Sequence, residues 1–361
     1  MVLIPSSLAK ELLSSGKRST ILFSIDKYLM MHHLLPQDLS DALDDISTAR
    51  LSNYVAFFAP ATPAEIYGLY CWNDALSSRI MRLTGVIEII LRNRFHVALS
   101  RQYWNPAQSR GNVDSNDWYL KLYKPYAPNL STGDRKIREK LGDYTNQASP
   151  PKVISGMTFG FWPRVLDAQK TSGYTAAGAT VPRVLVPWDT LIPQIVPGHH
   201  QQASTYWNVK AHQDALFARI DLVGSLRNRV AHFEPLWKFP AELEEKRERQ
   251  GVKPVEVTGV PATVDQMIER LRRSYRRTTQ LLLWLSKSRA AAYEHSENHQ
   301  ALDWLMSKAA LDHFRALPPH REVRLSSLAR KWELKSELRA GGFVLVTDKG
   351  DRVGRYYSGP G

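Results

Sequence analysis

Apolar residues return every three or four positions along most of the chain, which is the spacing of helices that bury one face. The longest such stretch, residues 64–103, predicts either one helix or two helices with a kink at Gly85. Its second half, residues 83–99, is apolar on nearly every side, so we expect it at the centre of the core. Other helices are predicted at residues 20–35, 37–59, 152–167, 207–234, 262–288 and 299–317.

The stretches between these helices lack a helical period. Residues 104–118 are rich in Asn, Ser and Gly, which predicts a loop. Residues 170–205 contain several prolines and predict a long irregular loop. Residues 240–254 are charged and should be solvated. Two β-prone runs flank an Asp-Lys-Gly-Asp turn near the end of the chain and predict a β-hairpin over 342–357.

These patterns together predict a mainly α fold with long central helices and a small C-terminal extension that contains a β-hairpin. We expect three parts along the chain. Residues 1–34 form an N-terminal helical segment, residues 35–290 form the main helical domain, and residues 291–361 form the C-terminal helical and hairpin extension.

Charge narrows the class of partner. The chain of 361 residues has a formal net charge of +13 and a pI of about 9.7. A basic protein favours anionic partners, with nucleic acid first and an anionic membrane surface second. No stretch approaches the roughly 20 uninterrupted apolar residues of a membrane helix, so we expect no membrane insertion. The single cysteine, Cys71, excludes an intrachain disulfide and favours a cytoplasmic location and a buried thiol.

The most informative stretch for function is residues 224–235, GSLRNRVAHFEP. On a helical wheel of about 100° per residue, an apolar stripe falls opposite a polar face. The stripe comprises Leu222, Val223, Leu226, Val230 and Phe233, and the polar face comprises Asp221, Ser225, Asn228 and His232. Arg227 and Arg229 flank the polar face, and Pro235 ends or kinks the helix just after the histidine.

The residue types on this face suit cleavage of RNA. An imidazole can remove the proton of a 2′-hydroxyl or protonate a leaving 5′-oxygen. Arg227 can stabilise the charge that develops on the phosphate, and Asn228 can orient the histidine or the phosphate. This chemistry needs no metal and no cofactor. Because one histidine does not easily serve as base and acid at once, we expect a homodimer with two such helices facing each other. The alternative interpretation is structural, with His232 capping its helix and the arginines bound to solvent or to acids.

A family resemblance favours the catalytic interpretation. Arg227, Asn228 and His232 match the Arg-(Asn/Asp/His)-x-x-x-His pattern of HEPN-domain ribonucleases. More of the chain, from about residue 30 to 290, resembles the Abi-like family of bacterial abortive-infection proteins. The resembling segments are residues 37–58, 69–95, 156–162 and 214–237. The resemblance implies a HEPN-like helical bundle and a metal-independent RNase. It also implies a relation to the HEPN nucleases of RNA-cleaving CRISPR effectors and, for some members, a bound non-coding RNA.

A second copy of Leu-Arg-Asn-Arg lies upstream, at residues 91–94. Here the position equivalent to His232 is Val97, and Glu88 is placed to pair with Arg92 along the helix. We therefore interpret this copy as structural or RNA-positioning. Whether Arg92 or Asn93 reaches the catalytic site in three dimensions stays open.

Other groups are weaker candidates. The arginines of residues 262–288 either bind RNA phosphates or form a solvated face; the candidates there are Arg272, Arg273 and Arg276, and Arg229 is a further one. The aromatics of residues 159–162 favour core packing over base stacking. His199 and His200 are adjacent, without metal-ligand spacing.

We therefore expect an endoribonuclease toxin of phage defence in which Arg227, Asn228 and His232 carry the chemistry. The alternative function is a non-catalytic RNA-binding protein that senses phage or forms a regulatory ribonucleoprotein.

Overall fold

A computed structural model describes residues 2–3, 36–122, 149–166, 173–174, 180–181, 186–248, 251–316, 343–348 and 351–357. The helices are α1 Leu39–Ile46, α2 Thr48–Phe58, α3 Pro63–Tyr103, α4 Trp118–Leu122, α5 Pro150–Ser155, α6 Phe161–Val165, α7 Trp188–Ile195, α8 Ser204–Trp207, α9 Lys210–Ala231, α10 Val264–Leu285, α11 Lys287–Glu294, α12 Glu297–Leu305 and α13 Lys308–Ala316. The strands are β1 Val2–Leu3, β2 Gly111–Asn112, β3 Ser115–Asn116, β4 Gly173–Tyr174, β5 Thr180–Val181, β6 Glu242–Leu243, β7 Glu256–Thr258, β8 Phe343–Asp348 and β9 Asp351–Tyr357. The mainly α prediction is confirmed.

The chain divides into two compact units, residues 1–75 with 311–361, and residues 76–310. The domain bounds expected from the sequence stay a prediction. In the first unit, β8 pairs with β9 antiparallel and with β1 parallel, which confirms the predicted hairpin. The helical part of this unit packs Tyr54, Phe58 and Trp72 together, and an Arg315–Glu65 ion pair of 2.7 Å joins its two chain segments.

The second unit is built around the later part of α3. The 41 residues of this helix run through Gly85 as one element, so of the two predicted alternatives the single helix is correct. Ile87, Leu91 and Phe95 are fully buried, and the Phe95 ring lies 5.7 Å from that of Trp162. The expectation that residues 83–99 lie at the centre of the core is confirmed for these positions, although Ile89 on the same helix is 52% exposed.

Several predicted boundaries are also wrong. The predicted helix over 37–59 is broken at Ser47, and the one over 152–167 consists of α5 and α6. The single helix predicted over residues 299–317 is instead two helices, namely the end of α12 and the whole of α13. Part of the loop predicted over 104–118 forms the hairpin β2–β3. The helix predicted over 20–35 lies outside the described residues.

The region 170–205 departs most from its prediction, because it contains α7 and the start of α8. Prolines favour loops, yet Pro193 lies inside α7. The helix persists because Trp188, Leu191 and Ile192 bury its apolar face, and such packing outweighs local propensity. None of the described helices combines the length and the apolar character that a membrane crossing requires.

Candidate functional site

Helix α9 has the two faces that its sequence predicts. Val223, Leu226 and Val230 are buried. The opposite positions, Asp221, Ser225, Asn228 and His232, are all exposed. Gly224 lies under the ring of Phe159, and a Cβ at this position would come within 2.9 Å of that ring. The buried stripe therefore holds α9 against the core and leaves its polar face open to a ligand.

The end of α9 lies at the histidine itself. The last helical residue is Ala231, and His232 is the C-cap, whose N–H donates to the Asn228 carbonyl oxygen at 3.0 Å. Phe233 follows with a φ of 54° and is 62% exposed, so its predicted place in the buried stripe is wrong. It leaves the stripe because the helix stops two residues before it.

Arg227 of the downstream copy forms an ion pair with an acidic residue of α3, close to the upstream copy. Its Nε donates to Oε2 of Glu88, 139 residues away on α3, at 3.3 Å. The expected pairing of Glu88 with Arg92 is therefore replaced by a contact with Arg227. Arg92 lies one helical turn beyond Glu88 on α3 and is half-buried, and Asn93 beside it is exposed. The downstream copy thus contacts α3 one helical turn before Arg92 of the upstream copy.

Arg229 has a different environment. Its guanidinium donates to the backbone oxygens of Pro235 and, at 2.8 Å, of Lys238, and it lies 3.5 Å from the Glu234 carboxylate. Burial lowers the pKa of Arg229, and Glu234 opposes this effect. These bonds hold the segment that follows α9 against its last turn, as the structural interpretation expects. Few N–H donors of the Arg229 guanidinium remain to bind RNA.

The histidine of the upstream copy is buried. The Nδ1 atom of His96 accepts a hydrogen bond from the Trp118 indole, and Nε2 lies 2.9 Å from the Ser115 hydroxyl. Burial lowers the pKa of His96 to about 4. This ring is neutral at physiological pH and has both nitrogens occupied, which supports a structural role for the copy.

The arginines of α10 divide into two groups. Arg270, Arg273 and Arg277 all contact the carboxylate of Glu242, which is 8% exposed. The expectation that residues 240–254 are simply solvated is therefore wrong at Glu242, because its three cationic partners offset the cost of burying it. The remaining two, Arg272 and Arg276, are exposed. Arg272 donates to the Met306 carbonyl oxygen at 2.8 Å.

Arg276 lies at a cavity of about 400 Å³. Arg273, Arg277, Tyr293 and His299 line the same cavity. Of the RNA-binding candidates on α10, Arg273 forms ion pairs with Glu242 and Glu269. Arg276 is exposed at the cavity.

The other sequence candidates are parts of the core. Phe159, Phe161 and Trp162 are buried, which confirms the packing interpretation. The His199 ring lies between those of Trp207 and Trp284, and burial lowers its pKa. Burial raises the pKa of the Cys71 thiol to about 12. Within the described residues, no three His, Cys, Asp or Glu side chains are grouped in a way that would hold a metal ion.

The sequence indicated neither the contact of Glu88 with Arg227 nor the exposure of Phe233. The signal for Glu88 is that it is an acid among apolar neighbours in a helix, which requires a partner somewhere in the fold. Its partner was not predictable, because residues 139 apart in sequence become neighbours only through tertiary packing. Comparisons of the chain with protein-family models, with curated proteins and with solved structures found no match.

Proposed function

We propose that this protein is a metal-independent endoribonuclease, an RNA-cleaving toxin of abortive-infection phage defence. The observation that carries the proposal is the exposed polar face of α9, which ends in an accessible imidazole at His232. Asn228 is exposed one turn before it, and Arg227 lies at the edge of the same helix. This set combines a proton carrier, an amide and a cation on a rigid element.

The reaction follows from these groups. An unprotonated His232 removes the proton of a 2′-hydroxyl, and the 2′-oxygen attacks the adjacent phosphorus. The bond to the 5′-oxygen breaks, and that oxygen takes a proton from a second imidazole, which leaves a 2′,3′-cyclic phosphate and a 5′-hydroxyl. Arg227 stabilises the charge on the non-bridging oxygens. The contact of its Nε with Glu88 leaves the two terminal nitrogens of Arg227 as the donors for a phosphate.

A second imidazole requires a second copy of the chain. The surface of α3 beside Glu88 supports a homodimer, because Val86 is 36% and Ile89 is 52% exposed. These two side chains lie one turn apart on the same helix, and contiguous exposed apolar surface suits a face that packs on a partner. Two facing polar faces would then supply one base and one acid, each from a different subunit.

The test is cleavage of RNA by the purified protein and by His232→Ala. We expect the variant to lose cleavage by at least a hundredfold. His295 is a matched control, because it is likewise an exposed histidine at a helix C-cap, with φ −93° against −97° for His232. His295→Ala should cleave normally. Normal cleavage by His232→Ala would refute the proposal, and loss of cleavage with EDTA would refute the metal-free mechanism.

The alternative, an RNA-binding protein that does not cleave, is supported by the exposed cations Arg272 and Arg276 on α10. Phosphate contacts by such residues give sequence-independent, salt-sensitive binding. Arg276→Glu separates the two functions. If it abolishes toxicity in cells while His232→Ala retains it, RNA binding is the function; the opposite pattern identifies the enzyme.

A further inference from the structure

The cavity of about 400 Å³ is lined by the second half of α10, by α11 and by the start of α12. Pockets for small organic ligands commonly measure about 300–1,000 Å³. On α10 the lining includes Arg276, Gln280 and Leu283, whose spacing of four and three residues puts them on one face of the helix. Ala290 and Tyr293 line the cavity from α11. None of its described lining residues comes from α9, so this cavity is separate from the site at His232.

Arg276 brings a cation without a counter-charge to this cavity. Its neighbours on α10, Arg273 and Arg277, each form ion pairs with glutamates. Arg276 is exposed and forms no ion pair with any residue that the structure describes. A guanidinium presents its N–H groups in a planar fork that fits the oxygens of a phosphate. The Gln280 amide offers further N–H donors, because its carbonyl oxygen already accepts a hydrogen bond from Arg219 at 2.6 Å.

The ion-pair network at the neighbouring positions of α10 has an excess of positive charge. Within the described residues it joins four arginines to three glutamates, namely Arg219, Arg270, Arg273 and Arg277 with Glu242, Glu245 and Glu269. Burial and, after it, the charges of Arg273 and Arg277 lower the pKa of Arg270. An anion bound at Arg276 would therefore be attracted by more than one cation.

Glu294 also lines the cavity and is exposed, which restricts the kind of anion that fits. Its carboxylate would repel a ligand that is negative along its whole length, such as a polyphosphate or a nucleic-acid backbone. A carboxylate can instead accept hydrogen bonds from hydroxyl groups, as acidic residues of dinucleotide-binding sites do for ribose. Arg276 and Glu294 together thus suit a molecule with an anionic group at one end and hydroxyl groups beside it.

Hydrogen bonds hold the aromatic wall of the cavity in place. The Tyr275 hydroxyl donates to that of Tyr293 at 3.1 Å, and Asn298 Nδ2 donates to the same Tyr293 oxygen at 3.1 Å. The Tyr275 oxygen also lies 2.6 Å from Nδ1 of His299. The Tyr293 and His299 rings are thus oriented before a ligand binds, which lowers the entropic cost of binding. With Leu283 they provide apolar surface for a planar ring.

We propose that this cavity binds a nucleoside 5′-monophosphate. The phosphate binds Arg276 and the Gln280 amide, the ribose hydroxyls donate to Glu294, and the base packs against Tyr293. The phosphate is at the 5′ position because a 3′-phosphate would replace one of the hydroxyls that Glu294 accepts. This site goes beyond the proposed ribonuclease and does not rest on it, since it uses no residue of α9.

The test is isothermal titration calorimetry of the purified full chain with AMP, GMP, CMP and UMP. We expect at least one of them to bind with a Kd below about 1 mM. Arg276→Ala should weaken its binding roughly 10- to 150-fold, because hydrogen bonds to a charged group are lost. Arg272→Ala is the matched control and should bind as the wild type does, because Arg272 is an exposed arginine of the same helix outside the cavity lining.

The ribose contact is tested with the 2′,3′-dideoxy form of the nucleotide that binds. The wild type should bind this form roughly 10-fold more weakly than the parent nucleotide, because the hydroxyl donors to Glu294 are absent. Glu294→Ala should bind the two forms equally. If Glu294→Ala discriminates between them as the wild type does, Glu294 does not contact the ribose and the proposed ligand class is wrong.

Two results would overturn the site as a whole. One is that none of the four nucleotides binds with a Kd below about 1 mM, and the other is that Arg276→Ala binds them as the wild type does. A single-stranded RNA that binds in place of the nucleotides, and equally weakly to Arg272→Ala and Arg276→Ala, would assign both arginines to an RNA-backbone surface instead. Normal RNA cleavage by His232→Ala refutes the proposed function alone, because that result does not involve the cavity.

Discussion

The buried imidazole of His96 should make the stability of the second unit depend on pH. The ring is 8% exposed and accepts the indole proton of Trp118 at Nδ1. With Nδ1 acting as acceptor, the proton of the neutral ring is on Nε2, which donates to Ser115. Protonation of Nδ1 would place two donors face to face in a buried site. Burial accordingly lowers the pKa of His96 to about 4.

The size of the effect follows from the two protonation equilibria. The unfolded chain binds a proton at His96 below its ordinary pKa of 6.5, whereas the folded chain binds it only near 4. Between these values the unfolded state binds more protons, so stability falls as the pH falls through this window. Relative to pH 7, the loss is about 2 kcal/mol at pH 5 and about 3 kcal/mol below pH 4.

The assay is urea unfolding of the wild type and of His96→Gln at pH 7 and pH 5. The free energy difference between the two pH values should be smaller in the variant by about 2 kcal/mol. Other histidines, including His199, contribute equally to both proteins and cancel in this comparison. His295→Gln, which removes an exposed imidazole, should retain the wild-type difference. An unchanged pH dependence in His96→Gln would refute the assignment of a neutral, buried ring.

Three further predictions concern packing and ion pairs. Glu88→Gln and Arg227→Lys should each lower the free energy of unfolding by less than about 1 kcal/mol, because the ion pair is partly exposed. Any loss of RNA cleavage in these variants would then not be due to unfolding. A marked fall in the melting temperature of either variant would contradict this prediction. Glu242→Gln should cost about 3–5 kcal/mol in urea unfolding, since three arginines lose their buried counter-charge, and a cost under 1 kcal/mol would contradict it. Gly224→Ala should cost about 1–3 kcal/mol by calorimetry through a clash with the aromatic ring above it, and a neutral result would contradict this packing.

Regular hydrophobic spacing predicted much of the fold. The period of α9 separated Val223 and Leu226 from Asn228 and His232, and burial confirms that separation. The helical character of residues 64–103 and the terminal hairpin were also predictable, because both signals are local, although the sequence left open whether Gly85 interrupts the helix. The helices of residues 170–205 were not, since their prolines indicate a loop and only packing in the core overrides that preference.

By itself, the sequence determined which residues face water on α9 and that His232 lies near the helix end. Periodicity and a proline three residues on suffice for this, because both act within a few turns. Only the tertiary structure decided that Arg227 contacts Glu88 and that three arginines of α10 surround Glu242. Charged side chains can choose among many partners of opposite sign, and the choice depends on which helices pack together.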